Sequence, residues 1–418
     1  MIDLLSQIGS FNLLFKHAKR VNQKIKKSAK KRNKKSHICY PIDRLANLQN
    51  LILTRKFKFL GFDGIAIPKK DPKKKRPLSV PEPRDRIVYA AINELVKPKL
   101  FGFLSKAPSY GVLKRRGTHK AFEEVKKYLQ EENEFILKVD IHNFFNEIDK
   151  KKLALYLNDE IEDKSIDFLI TGCIYFEYRT LPRDENDRKL FPLSDCGIAQ
   201  GNSLSPLFAD VYLKSFDIEM KRLGIKIVRY VDDFIVFSKT KRERYDNYRK
   251  INKYLKKLDL KIGQYNNKDE KCQAGCIKDK IEFLGIEIQP NGSFIIIPKR
   301  DHQFKLKIGG EIRKIKTNNI EDKVKLINGL INGWVGAYSM CDKKFLEAHY
   351  NKLNAIIERE VNIIQNKIAS ANRPILKKIL RFNFTDKKYR SAKRTKGGSI
   401  RVKPGKGQAI FIKNVGPY

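Results

Sequence analysis

The sequence contains no run of about 18 apolar residues, the minimum for a membrane-crossing helix, so no membrane span is expected. Its start, Met1-Ile2-Asp3-Leu4, lacks the charged-then-apolar plan of a secretory leader. Cysteine is sparse, at positions 39, 173, 196, 272, 276 and 341. Cys272 and Cys276 are near each other, but no second ligand pair accompanies them, which disfavours a zinc site. Scattered thiols of this kind fit a reduced, cytoplasmic setting. Acidic residues are also short: 47 Asp and Glu face 88 Lys and Arg, a formal net charge of +41. Solubility needs far less than that, so the excess implies a polyanionic partner. Nucleic acid is the first reading and an anionic membrane surface the alternative.

A length of 418 residues permits two or three domains, and an apolar content of 41% is enough for a real core. The most informative stretch is Tyr230-Val231-Asp232-Asp233. It lies between the apolar runs 225–228 and 234–237, a strand–turn–strand pattern. Adjacent carboxylates at a hairpin tip repel each other unless a cation neutralises them, and oxygen ligands of this kind suit Mg²⁺. A solvated Asp-Asp turn is the bland alternative. Ninety residues upstream, 134–139 read as a buried strand ending in Asp140. A third aspartate at a strand end can meet the hairpin pair across an antiparallel sheet. Three such carboxylates can hold two metal ions about 3.5–4 Å apart, the arrangement for in-line phosphoryl displacement.

Between these carboxylates lies Gln200-Gly201-Asn202-Ser203-Leu204-Ser205-Pro206. In this order, the three motifs resemble the palm of a reverse transcriptase, of the bacterial group II intron-like or "unknown group", defence-associated type. The resemblance implies an α+β right-hand polymerase, with fingers, a palm with an antiparallel sheet, and a helical thumb. Five segments are expected: a basic helical N-terminal extension (1–60), fingers (61–130), palm (131–295), thumb (296–380) and a basic C-terminal tail (381–418). The run from Lys16 to Lys35, with eleven Lys or Arg and no acid, would grip phosphates rather than form a solvated arm. The tail from Lys387 to Lys406 carries nine Lys or Arg and no acid, and its apolar end would dock as a short strand.

Several site residues follow from the resemblance. One Mg²⁺ would rest on Asp140 and Asp232; a second would rest on Asp140, Asp232 and the Ile141 carbonyl, with Asp233 completing the acidic cluster. Arg76-Pro77-Leu78-Ser79-Val80-Pro81 followed by Arg84-Asp85-Arg86 resembles the family's fingers. Lys69 or Lys70, with Arg76, would touch the incoming triphosphate; a basic turn on template backbone is the alternative. Ser109-Tyr110-Gly111 leads to Arg115 and Arg116, which could contact template or face water. Phe145 resembles the aromatic gate against a 2′-hydroxyl, unless Phe144 and Phe145 are both core. Gln200 and Gly201 would floor the nascent base pair, although Asn202 stands where the family often has Gly or Ala.

Some structural expectations accompany these. Residues 177–196 read as a surface loop, and Ser205 as the cap of a helix whose buried face is Phe208, Tyr212, Phe216 and Met220, ended by Gly224. Residues 280–288 alternate like one strand and resemble the family's Phe-Leu-Gly primer segment. Residues 300–380 look helical, with an apolar stripe from Phe345 to Ile364. Gly333-Trp334-Val335-Gly336-Ala337-Tyr338 resembles a thumb patch.

The implied activity is RNA-directed DNA polymerisation on an RNA template. Its partners would be a structured noncoding RNA, the RNA–DNA duplex and deoxynucleoside triphosphates. No His-Asn-His endonuclease block or RNase H domain is found, nor the Asn-Ala-x-x-His and Val-Thr-Gly elements of retron enzymes. Service in anti-phage defence is the expected context. An intron-encoded maturase and a protein-primed, template-independent polymerase are the alternatives.

Overall fold

The computed structural model of the chain describes residues 2–31, 38–69, 74–105, 107–113, 116–192, 195–265, 271–368, 370–376 and 379. Lys70, Arg115 and the tail 381–418 lie outside the described residues. The chain divides into two compact units: Met1–Gly117 with Phe135–Ala274, and Thr118–Glu134 with Gly275–Tyr418. The helix that follows Gly117, placed with the fingers by sequence, therefore belongs mostly to the second unit. In chain order the strands are β1 (Phe62–Pro68), β2 (Lys75–Pro81), β3 (Phe135–Asp140), β4 (Tyr178–Thr180), β5 (Lys226–Tyr230), β6 (Asp233–Ser238), β7 (Cys272–Cys276), β8 (Glu282–Phe283), β9 (Ile286–Ile288) and β10 (Phe294–Ile296). Helices and strands mix without strict alternation, as the α+β reading expects.

In the first unit, β1 and β2 form an antiparallel hairpin, and β4 adds to β1 in parallel. Alternation in β2 buries Pro77, Ser79 and Pro81 and turns Arg76 outward. Residues 177–196 are thus more than a surface loop. They supply an edge strand, a short helix at Glu185–Arg188 and the buried Phe191, and Asp187 pairs with Lys75 at 2.7 Å. The four-stranded sheet has the order β5-β6-β3-β7. Its inner strand β6 is buried from Phe234 to Ser238, which is why that segment reads as an unbroken apolar run rather than alternating.

Helices cover this sheet. Phe208, Tyr212, Phe216 and Met220 are all buried, as their spacing predicts. The expected single helix is instead two, Ser205–Tyr212 and Lys214–Arg222, broken at Leu213. The cap is also different. Asn202 Oδ1 accepts from the Leu204 and Ser205 amides at 2.8 and 2.9 Å, while Ser205 Oγ donates to the Ala199 carbonyl. Asn202, the departure from the family pattern, is therefore the residue that starts this helix. At the N-terminus, helix Phe11–Lys31 buries Leu14, Ala18 and Val21 in the core shared with helix Pro83–Lys99, and Lys16 pairs with Glu94. Up to Lys31 the basic run is thus a docked amphipathic helix.

In the second unit, residues 280–288 do not form one strand. Leu284 and Gly285 have φ of 51° and 80°, and the chain folds back so that Glu282 faces Glu287. Two left-handed residues make the tight hairpin turn whose twist matches the flanking strands. A Cβ on Gly285 would stand 2.2 Å from the Arg300 guanidinium, which donates to the Leu284 carbonyl at 3.2 Å and Tyr338 Oη at 2.9 Å. Three long helices follow: Pro298–Arg313, Ile320–Tyr338 and Lys343–Gln365. The stripe on the last buries Leu346, His349, Leu353, Ile357, Val361 and Ile364, with Phe345 and Ile356 at its half-buried margin. Trp334 lies flat on Phe304, centroids 4.0 Å apart. On helix Lys343–Gln365, Glu360 is buried under Arg313, whose Nε donates at 2.6 Å, and Arg359. Hydrogen bonds from those arginines hold its carboxyl down at about 2.

Two outcomes follow from this geometry. Gly285→Ala forces a Cβ into the left-handed region and displaces Arg300; denaturant titration should show a loss of about 1–2 kcal/mol. A carboxyl held below its ordinary 4.5 stabilises the fold above that value and loses this as pH falls toward 2. Glu360→Gln should therefore be less stable than the native chain at pH 7, and the difference in urea midpoint should shrink steadily between pH 4.5 and pH 2.

Candidate catalytic site

The candidate site begins with strand register. Asp140, the last residue of β3, pairs with Asp233, the first of β6. The Asp140 amide donates away from Asp233, to the Lys271 carbonyl at 2.9 Å, while the Ile141 amide donates to the Asp232 carbonyl at 3.4 Å. Asp140 and Asp233 are therefore a non-hydrogen-bonded pair, the kind in which Cα atoms approach to roughly 4.5 Å and side chains leave the same face. Slipping either strand by one residue would send one carboxylate to the opposite face.

Val231 and Asp232 form the two-residue turn between Tyr230 and Asp233. Val231 has φ of 64°, unusual for a β-branched residue and costing about 1–3 kcal/mol. Arg229 Nη1 donates to the Val231 carbonyl at 2.7 Å and holds this conformation. The tight turn keeps Asp232 electrically coupled to its neighbours. Burial raises its carboxyl, the Asp140 charge raises it further, and Lys271 and Arg76 oppose both. Asp233 is pushed up to about 7, chiefly by burial; Lys138 opposes the rise, and Asp140 and Asp232 add to it.

Among the described residues no group of three His, Cys, Asp or Glu stands ready to hold a metal ion. Like-charged carboxylates do not close on one another unaided, and Asp140 turns its Oδ2 to the Lys271 ammonium. The donor set nonetheless fits a hard cation. Asp233 Oδ1 is buried without a hydrogen-bond partner, and two further carboxylates share its field. Buried charge of one sign with an unmatched acceptor is the electrostatic signature of a cation site.

The other expected residues fall in the same unit. Lys69 is exposed at the end of β1, its amide donating to the Lys74 carbonyl at 2.7 Å. Arg76 is exposed, pairs in register with Ile67, and contributes to the potential at Asp232. Phe144 is buried and Phe145 only half-buried. A helical turn, Phe144–Glu147, parts them rather than an extended segment. The Gln200 carbonyl accepts from the Ser79 amide at 2.6 Å, which ties it to the edge of β2 that β1 leaves open. Gly201 has φ of 129°, and a Cβ there would stand 2.7 Å from the Ser79 carbonyl oxygen. Ile141 is buried beside the turn.

Sequence reading missed four residues here. Lys271 meets Asp140 from β7's approach, and nothing local in the sequence points to it. Arg229, Asp210 and Asp217 form a buried cluster behind the turn. An arginine directly after the apolar pair Ile227-Val228 was the available signal. Arg116, read as facing template or water, instead donates to the carbonyls of Ser105, Ala107 and Ser109.

Comparison with known proteins bears on this arrangement. The group II intron-encoded protein LtrA of Lactococcus lactis subsp. cremoris is 28% identical over 193 residues, 46% of this chain and 30% of LtrA. Protein YkfC of Escherichia coli (strain K12) is 27% identical over 174 residues, 41% of this chain and 43% of YkfC. The match spans less than half the length of either relative. Among solved structures, telomerase from Candida tropicalis in complex with a TWJ fragment of telomeric RNA superposes with a TM-score of 0.46 at 13% identity, covering 79% of this chain and 58% of that one. The corresponding Candida albicans telomerase complex gives 0.43 at 13% identity, covering 83% and 72%. The reverse transcriptase (RNA-dependent DNA polymerase) profile matches residues 67–288. That stretch runs from the end of β1 through β9, is more than half of the chain and encloses all three aspartates, and the chain accordingly belongs to the reverse transcriptase (RNA-dependent DNA polymerase) family.

Proposed function

We propose that this protein extends a primer with deoxynucleotides on an RNA template. The observation that carries the reading is the close pairing of Asp140 with Asp233 beside the strained turn that presents Asp232. In this reading residues 61–130 act as fingers, 131–295 as palm and 296–380 as thumb.

Asp140, Asp232, Asp233 and the Ile141 carbonyl would hold two Mg²⁺ ions. When bound, such ions lower the pKa of a primer 3′-hydroxyl and neutralise charge on the leaving pyrophosphate. The protein's own part is positioning. Lys69 and Arg76, both exposed on the β1–β2 hairpin, would bind triphosphate oxygens by charge. The half-buried ring of Phe145 would stand against the sugar and exclude a 2′-hydroxyl by bulk. Gln200 and Gly201 would support the templating pair; the positive φ at Gly201 lets backbone approach closely where a side chain would intrude.

The finer reading is a dedicated noncoding RNA as template, in anti-phage defence. The net charge of +41 supports a stable RNA partner, since phosphate contacts dominate such affinity. Sequencing RNA and cDNA that co-purify from cells with and without phage tests it; identical cDNA in both would remove the defence role. The intron-encoded reading draws support from LtrA, described as a group II intron-encoded protein. A group II intron flanking the coding sequence would decide for it.

Two outcomes test the main reading. Asp232→Asn should bring primer extension below detection while RNA affinity by filter binding stays within about twofold; normal synthesis by that variant refutes the assignment. Log affinity for RNA should fall linearly with log salt, with a slope near −0.7 per phosphate contact on single strands. Purified protein should carry RNA unless washed at high salt, and nucleic-acid-free protein at low salt would count against a resident RNA.

A further inference from the structure

Arg229 stands two residues before the Val231–Asp232 turn and is wholly buried. A guanidinium in such a place survives only if its donors are matched. Nε donates to Asp217 Oδ1 at 2.9 Å, and Nη2 donates to Asp217 Oδ2, a two-pronged fork. Nη1 donates to Asp210 Oδ1 at 2.9 Å and to the Val231 carbonyl at 2.7 Å. Burial works against the charge on Arg229, but Asp217 and Asp210 more than offset it. Ser109 Oγ donates to both Asp210 oxygens, at 2.9 and 3.0 Å.

A buried ion cluster is by itself weak evidence of anything but burial. Here the bond to Val231 adds direction. The Val231 carbonyl belongs to the peptide joining Val231 to Asp232, so fixing that oxygen fixes how Asp232 leaves the turn. The same residue has the left-handed φ of 64°. A second restraint acts on it from Gly111, where a Cβ would stand 2.8 Å from Val231 Cγ2 and 3.1 Å from its nitrogen. Gly111 is brought there by Ser109 and Tyr110. The Arg229 amide donates to the Pro108 carbonyl at 2.9 Å, and the Tyr110 amide donates to the Arg229 carbonyl at 2.8 Å. The segment before Gly111 and the acids behind the sheet therefore converge on one peptide.

We propose that Arg229, held by Asp210 and Asp217, is a positioning residue that locks the Val231 carbonyl and thereby aims Asp232 before any cation arrives. This inference rests on the polymerase reading for its consequence, but its test does not. Arg229→Lys keeps the charge and loses the planar fork, so one ammonium cannot serve Asp217, Asp210 and Val231 together. Arg229→Met with Asp217→Leu removes one charge of each sign and keeps the interior filled, which protects folding.

Mn²⁺ binding followed by electron paramagnetic resonance should weaken about 10- to 100-fold in both variants, the usual effect of removing a group that orients ligands. Hydrogen exchange should quicken at 230–233 while β3 amides stay protected. If Arg229→Lys loses protection throughout, the charge-neutral pair decides by the same two readings. A folded variant with native Mn²⁺ affinity and native protection of the turn overturns the proposal. A native chain that extends no primer, yet shows these shifts against its variants, keeps the positioning role and refutes the polymerase reading.

Discussion

The site depends on one cross-strand pair. Asp140 and Asp233 face each other at the end of the β3–β6 ladder, in the register position where side chains come closest. The hydrogen bonds that fix this register run along strands that bury Ile136, Leu137 and Val139 on one side and Phe234 to Phe237 on the other. Burial of those side chains thus decides where two carboxylates end up. Asp233 Oδ1 is left buried without a hydrogen-bond partner, and the Lys138 and Lys271 charges oppose the field of the other two carboxylates. Hydrophobic packing holds this centre together against its own electrostatics.

Much of this was legible in the sequence because it is local. An apolar run ending in aspartate, and two apolar runs flanking Asp-Asp, announce strands and a turn, and the four buried residues from Phe208 to Met220 announce a helix face. What escaped reading has a common physical cause. Leu284 carries no mark of a left-handed conformation, so residues 280–288 pass for one strand when they are two. Residues 178–180 are too short to show alternation, and become a strand only because β1 offers an edge. Ser205 looks like a cap, but the Asn202 oxygen reaches the amides first. Arg229 in a strand looked like any basic residue of a basic chain, because its partners lie 12 and 19 positions away.

The charge of the molecule is sorted by depth. Arg229 and Arg116 together match Asp210 and Asp217, so the cluster behind the turn is balanced. Among the described residues, most Lys and Arg lie at partly or fully exposed positions such as Lys16, Arg20, Lys69 and Arg76. Burial tolerates only matched charge, and water tolerates the remainder until a polyanion replaces it. One chain can therefore hold a neutral interior network close to an acidic centre while its surface stays strongly basic.

The stitch between Ser79 and Gln200 carries a mechanical meaning. Its 2.6 Å bond fastens the inner half of β2, and the bare α-carbon of Gly201 nests against the same peptide. A ribbon pinned at its root bends more easily toward its far end, where the Lys75–Asp187 ion pair is a further tie. Whatever swing this hairpin makes toward a ligand is thus a wrist movement, and any force on the root is felt at once along the Gln200–Gly201 backbone.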